Sequence, residues 1–257
     1  MRTAKTNELP HPDSIAGRIN ALPWDNLHRS LSKFGYAVTP PILDAEQCIY
    51  LRSLFTRDEL FRSRVIMEQL RFGRGDYKYF SYPLPQLVQE IRTCAFPYLA
   101  HIANEWAEFL NETTRFPEVH EDFLKLCHSA GQTRPTPLLL HYEEDGYNCL
   151  HQDIYGAIAF PLQMVFLLGQ QGGHWEGGEF VLVEQRPRVQ SRVEVLAPDQ
   201  GCAVIFSTRR RPVRADIYDA VIARRGKQYY LAAMKHGVAR VRRGSRDTLG
   251  IIFHDAE

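Results

Sequence analysis

Apolar residues follow two rhythms along this chain. Up to about residue 112 they recur three or four apart, as on the buried stripe of a helix. Ile15, Ile19, Leu22 and Trp24 open one stripe, and Asp44 is placed to cap a helix running to Leu54 with Cys48 and Leu51 on one face. Leu87, Ile91, Cys94, Tyr98, Ile102, Trp106 and Leu110 make a longer stripe, read as core rather than a cofactor surface. After Pro135 the rhythm shortens. Apolar runs rich in β-branched and aromatic residues alternate with turn signals at 137–142, 157–168, 179–183, 193–196, 202–206, 228–234 and 248–253. That pattern predicts an α+β, mainly β protein, with a sandwich, jelly roll or barrel in the second half. Residues 1–130 are expected to form a helical part packed on a core spanning 131–257, the two sharing one apolar interior. Between the helical stripes lies Arg71-Phe-Gly-Arg-Gly-Asp-Tyr-Lys-Tyr-Phe-Ser-Tyr-Pro83, predicted as a loop or hairpin. Its aromatic and cationic residues suit a ring-binding surface, and equally a packed aromatic loop.

Composition narrows the class. The chain has 257 residues and is 44% hydrophobic, 24% charged and 11% aromatic, which excludes a disordered chain, a collagen and a coiled coil. It has no apolar run long enough for a transmembrane helix. The first residues contain no apolar segment of the secretory kind, so no membrane association is expected. Cys48, Cys94, Cys127, Cys149 and Cys202 are odd in number and form no C-x-x-C, which fits a reducing, cytoplasmic setting better than a disulfide framework. The net charge is +1, but residues 209–246 hold 12 Lys/Arg against Asp216 and Asp219. This basic segment suits an anionic partner, nucleic acid among them, or a solvated arginine-rich surface.

The most informative residues are His151-Gln-Asp153. On an extended segment, positions i and i+2 point to one face, so His151 and Asp153 can hold one metal ion together. His236, at the end of the run 228–235, is the best third ligand. Two histidines and one carboxylate leave three of six octahedral positions open and suit Fe(II) oxygen chemistry. Arg246 follows His236 by ten residues, and Thr248 shares its strand face. A guanidinium beside a hydroxyl is a seat for a remote carboxylate. A non-enzymatic ligand-binding jelly roll is the alternative class, and the complete set of ligands with Arg246 speaks against it.

These residues together resemble the Fe(II)- and 2-oxoglutarate-dependent dioxygenases. That family carries H-x-D…H for iron on a double-stranded β-helix (jelly roll), and an arginine, often R-x-S/T, for the far carboxylate of 2-oxoglutarate. Tyr142 to Asp153 resembles the Y-x-x-G-x-x-x-x-H-x-D entry of the prolyl-hydroxylase-like and AlkB-like branches, with Gly146 one place further along. The string Leu150–Asp153 is close to AlkB-type demethylases, while Gly177-Gly178-Glu179-Phe180 and the His236-to-Arg246 spacing resemble the prolyl-hydroxylase branch. More narrowly, strings such as YKYFSYPLP, YNCLHQD and LGIIFHD resemble a bacterial family of oxygenases assigned to damaged nucleic acid. The chain departs from AlkB in having Ile252 where a second C-terminal arginine stands, and in lacking a recognisable nucleotide lid.

The resemblance implies Fe(II), 2-oxoglutarate and O2 as cofactors, held by His151, Asp153 and His236, with Arg246, Thr248 and Tyr142 at the co-substrate. Tyr77, Tyr79, Arg209 and Arg210 are the expected substrate contacts. The expected reaction is oxidative demethylation of alkylated nucleic acid, with protein (prolyl-type) or small-molecule hydroxylation as alternatives. His141 is read as structural, facing away from Tyr142. His254-Asp255 is read as a surface or core-edge pair.

Overall fold

The computed structural model describes residues 11–215 and 228–257. Its helices are α1 (Ile15–Asn20), α2 (Trp24–Phe34), α3 (Ala45–Ser53), α4 (Met67–Leu70), α5 (Gln86–Phe109) and α6 (His120–Ser129). Its early strands are β1 (Tyr36–Val38), β2 (Phe61–Ile66), β3 (Gly73–Arg74) and β4 (Asp76–Phe80). There follow β5 (Leu138–Tyr142), β6 (Tyr147–His151), β7 (Leu162–Leu167), β8 (Trp175–Gly177), β9 (Phe180–Gln185) and β10 (Arg192–Leu196). The last are β11 (Ala203–Ser207), β12 (Arg210–Arg214), β13 (Tyr229–Val238), β14 (Val241–Gly244) and β15 (Arg246–Ile252).

The strands form mainly antiparallel sheets. One has seven strands in the order β1-β11-β7-β15-β5-β4-β2. The other runs β10-β9-β13-β6-β3, with β12 also paired to β13. Val165, Val204 and Phe206 from the first pack against Phe180, Leu182 and Met234 from the second, so the two sheets face each other. A small ladder, β14-β8, stands beside them. The seven-stranded sheet's other face joins the helices in one large apolar cluster, in which α5 Phe96 and Leu99 meet Phe166, Ile205 and Ile251.

Local chemistry explains the helices. Asp44 accepts from the Gln47 N–H at 2.8 Å while the Gln47 side chain accepts from the Asp44 N–H, a capping box that starts α3 and buries Cys48 and Leu51. The expected stripe on α5 is rotated. Val88, Ile91, Arg92, Ala95, Phe96, Leu99 and Ala103 face inward, and Cys94 and Tyr98 are only half-buried. The inward face includes Arg92, a cation. It is fully buried because Asp255 neutralises it at 2.8 Å, and the carbonyls of Ile252 and Phe253 and the Tyr82 hydroxyl accept its other N–H groups.

Four strands within the first 130 residues join the same two sheets, so that part is not purely helical. The aromatic-basic stretch 71–83 supplies β3 and β4. β4 lies between β2 and β5, and β3 pairs with β6. No helix among the described residues is long and apolar enough to cross a membrane.

Candidate active site

β6 and β13 run side by side, and their register sets His151 opposite His236. The two imidazoles lie 4.2 Å apart between ring centroids. Asp153 lies just past the end of β6 and turns its carboxylate toward both: Oδ2 is 3.2 Å from His236 Nε2 and Oδ1 is 3.6 Å from His151 Nε2. The three residues offer ligand atoms all within 4.8 Å of one another, the one such cluster found among the described residues. His151 Nδ1 donates to the Cys149 carbonyl at 2.7 Å, which fixes the tautomer and leaves Nε2 free to bind metal.

Asp153 is held by residues the sequence reading missed. Tyr155 donates its hydroxyl to Oδ1 at 2.9 Å, and Gln163 donates to Oδ2 at 3.0 Å. Tyr155 is itself paired with the Tyr79 hydroxyl at 2.7 Å. Burial pushes the Asp153 carboxyl up, but the two imidazoles, His236 first, and the Gln163 hydrogen bond outweigh it and hold the group well below the usual carboxylate range. Burial, reinforced by His236, lowers His151. Both shifts favour the forms that bind metal, a carboxylate and a neutral imidazole.

The cluster opens into a cavity of about 460 Å3 between the two sheets. Tyr142, Arg246 and Thr248 line the same cavity, as do Tyr77 and Tyr79. Arg246 and Tyr142 are register partners across β15 and β5. The Arg246 guanidinium is 1% exposed, and none of its three nitrogens meets a hydrogen-bond partner among the described residues. It lies over the rings of Tyr142 (5.6 Å) and Trp175 (6.0 Å), and burial lowers its pKa to about 10. A buried cation without a counter-charge is costly, so the cavity is built for an anion at this end. Gly178, at φ +63°, makes room: a Cβ there would lie 2.9 Å from the Arg246 Cδ. Tyr142 is fully buried, its hydroxyl accepts from Asn148 at 3.3 Å, and burial pushes it up to about 12, so it stays a neutral donor.

Arg209 and Arg210 do not line this cavity. Both are exposed on a separate cleft that shares Asp153 and Ile154 with it. The basic segment is otherwise divided. Arg211 is buried against Glu184, and Arg240, Arg242 and Arg243 approach Asp145, Glu179 and Glu176. Arg224, Arg225 and Lys227 lie outside the described residues, with Asp216 and Asp219. His254 and Asp255 are fully buried, not at the surface. Arg92 compensates the carboxylate, and His254 Nδ1 accepts from the Phe160 N–H.

A protein-family model, described as oxygenase, catalysing oxidative methylation of damaged DNA, matches residues 75–256. The chain belongs to this oxygenase family. The oxygenase is 41% identical over 177 residues to an uncharacterized protein of Mycobacterium tuberculosis, covering 69% of this chain and 72% of that one. Its fold is similar to a Pseudomonas putida prolyl-4-hydroxylase, with a TM-score of 0.50 at 13% identity, covering 91% of this chain and 99% of that chain. It is equally similar to an oxidoreductase of the 2OG-Fe(II) oxygenase family from Burkholderia pseudomallei, with a TM-score of 0.50 at 14% identity, covering 91% and 92%. At these identities the likeness to solved structures is one of fold.

Proposed function

We propose that the oxygenase is an Fe(II)- and 2-oxoglutarate-dependent dioxygenase that oxidatively demethylates alkylated nucleic acid. In this reading residues 131–257 form a double-stranded β-helix, the jelly roll, that carries every iron and co-substrate residue. Residues 1–130 pack on it and add outer strands. The observation that carries the reading is the juxtaposition in one cavity of His151, Asp153 and His236 with the fully buried, unpaired Arg246. Neutral imidazoles and one carboxylate suit Fe(II) and leave positions for a chelating co-substrate. Arg246, with the Thr248 and Tyr142 hydroxyls, holds the far carboxylate of 2-oxoglutarate, whose charge compensates the guanidinium.

Bound iron supplies the coupled oxidation of 2-oxoglutarate to succinate and CO2 by O2, with one oxygen atom inserted into a substrate C–H bond. The protein's own part is placement. Tyr155 and Gln163 aim the Asp153 carboxylate, the Cys149 carbonyl orients His151, and the apolar walls of the two sheets keep bulk water out. Hydroxylation of an N-methyl carbon gives a hydroxymethyl group that leaves as formaldehyde and restores the base. Tyr77 and Tyr79 supply aromatic faces in the cavity for that base. The family description and the exposed Arg209 and Arg210 support a nucleic-acid substrate. The five free cysteines support a reducing, cytoplasmic location.

The test begins with anaerobic addition of Fe(II) and 2-oxoglutarate. A visible charge-transfer band in wild type that is lost in Asp153→Ala is expected, and its absence from folded wild type overturns the dioxygenase reading. Methylated single-stranded DNA is then expected to give succinate and formaldehyde in equal amounts. Succinate formed with a proline peptide and not with DNA overturns the substrate and favours a prolyl-type hydroxylase, a reading to which the His236-to-Arg246 spacing also lends support.

A further inference from the structure

Three clefts of the oxygenase share lining residues, the first and third only through the buried Trp106. The first runs along the end of α5, past Trp106 and Phe116, to Ile154 and the iron-site carboxylate Asp153, with Arg209 and Arg210 at its edge. The second shares Arg210 and Leu231 with the first and adds Arg186 and Arg188. The third shares Trp106 with the first and adds Arg29 and Lys33.

Charge along this path is one-sided. Arg29, Lys33, Arg188, Arg209 and Arg210 are all exposed. The acids that line the three clefts are Glu105, which approaches His28 at 2.8 Å, Glu112, and Asp153 at the iron site. The third cleft also offers aromatic faces: Phe109 and Tyr229 stack there with centroids 4.3 Å apart and planes within 5°.

A groove that combines cations with an aromatic pair fits a polyanion whose flat groups are free to stack, which describes single-stranded nucleic acid. In a duplex the bases are already stacked on each other and only the phosphates would be served. An acidic peptide would satisfy the cations and make no use of the outer faces of the stacked Phe109 and Tyr229. Ile154 lines both the groove and the main cavity and is 47% exposed, so it marks the point where the two paths meet.

We propose that this groove carries the backbone of a single-stranded nucleic acid toward the iron site. One nucleotide turns past Ile154 into the cavity while its neighbours' phosphates rest on Arg209 and Arg210. Arg188, Arg29 and Lys33 extend the path to either side, while Arg186 is held by Glu184 at 2.6 Å. The proposal rests on the nucleic-acid reading above and deepens it.

The experiment is fluorescence anisotropy of a labelled single-stranded oligothymidylate with the full chain over a range of salt. Wild type is expected to bind with a steep salt slope. Arg188→Gln/Arg210→Gln is expected to lower that slope by about 1.4 and Lys33→Gln by about 0.7, since each lost single-strand phosphate contact removes about 0.7. Arg243→Gln, on the β14 side and 79% exposed, is expected to leave it unchanged. Circular dichroism checks that each variant is folded. Wild-type binding with the same slope in all the groove variants overturns the groove and leaves the nucleic-acid reading standing. Binding of an acidic peptide and of no oligonucleotide, even at low salt, overturns both.

Discussion

His141 and Asp247 meet on the back of the seven-stranded sheet, Nδ1 to Oδ1 at 2.6 Å, directly behind the register pair Tyr142 and Arg246. Asp247 also accepts from Arg52 of α3 at 3.0 Å, so one carboxylate ties a helix to the two strands that carry Tyr142 and Arg246. The hydrogen bond to Asp247 is the main cause that raises His141 above its usual range. A raised folded value means stability that is fully present below the unfolded pKa, about 6.5, and lost as pH rises through the folded one. Wild type is therefore expected to lose a few tenths to about 1 kcal/mol above pH 6.5 relative to His141→Gln, the partial exposure of the pair limiting the effect. Urea unfolding of both proteins across that range checks it; parallel curves would show that the pair carries no linkage.

Arg246→Met is expected to abolish binding of 2-oxoglutarate, by a hundredfold or more, without destabilising the ligand-free protein. The substitution removes a buried charge that has no hydrogen-bond partner among the described residues. Thermal melts read both effects. Saturating Fe(II) and 2-oxoglutarate should stabilise wild type by about 2.7 kcal/mol at a hundred times Kd. The variant, whose His151, Asp153 and His236 are intact, should keep the shift that Fe(II) alone gives and gain nothing further from 2-oxoglutarate, and a chelator should return wild type to its unliganded Tm.

Gly178→Ala is expected to raise the KM for 2-oxoglutarate at least tenfold with a smaller effect on kcat. The added methyl meets the Arg246 stem, and φ +63° is costly for alanine. An unchanged KM in a folded variant would mean that the guanidinium has other room to settle.

Tyr155→Phe is expected to weaken Fe(II) binding by about 10- to 100-fold while leaving the circular dichroism spectrum intact. The hydroxyl donates to Asp153 and touches neither imidazole. Titration with Co(II) as a spectroscopic substitute measures the affinity directly, and equal affinities would remove Tyr155 from the metal site's support.

Asp255→Asn is expected to cost about 3–5 kcal/mol, because Arg92 keeps its charge in a fully buried place. Burial pushes Asp255 up, but Arg92 outweighs it and holds the group below its ordinary range. A depressed folded value gives stability that is present above the unfolded pKa, about 3.9, and lost as pH falls through the folded one. Wild type should accordingly show an acid-dependent loss in that window that the variant lacks.

The cluster of His151, Asp153 and His236, and Arg246 beside it, were legible as candidates because each has a short-range signature: H-x-D on an extended segment, a histidine at a strand end, and R-x-T on the next strand. Tyr155 and Gln163 have none. They matter through hydrogen bonds to one carboxylate, and no periodicity marks a donor. The strands β5, β7, β9, β11, β13 and β15 announced themselves as apolar runs. β1 did not, for it has three residues and pairs with β11, some 170 positions later. Asp255, read as part of a surface or core-edge pair, misled for a related reason. A carboxylate looks like surface alone, and only its neutralisation by Arg92, 163 residues away, makes burial tolerable.

β15 is later in the sequence than every other strand, yet it occupies the middle of the seven-stranded sheet, with three strands on either side. A ribosome therefore delivers the keystone after the arch. While the chain is being made, β7 and β5 have no neighbour between them, and His151, Asp153 and His236 are exported ahead of the strand that closes the cavity beside them. A product truncated before Arg246 would not be a feeble oxygenase. It would present two half-sheets with open edges, a target for chaperones and proteases, so the chain's capacity for oxidation arrives with the same residues that complete its fold.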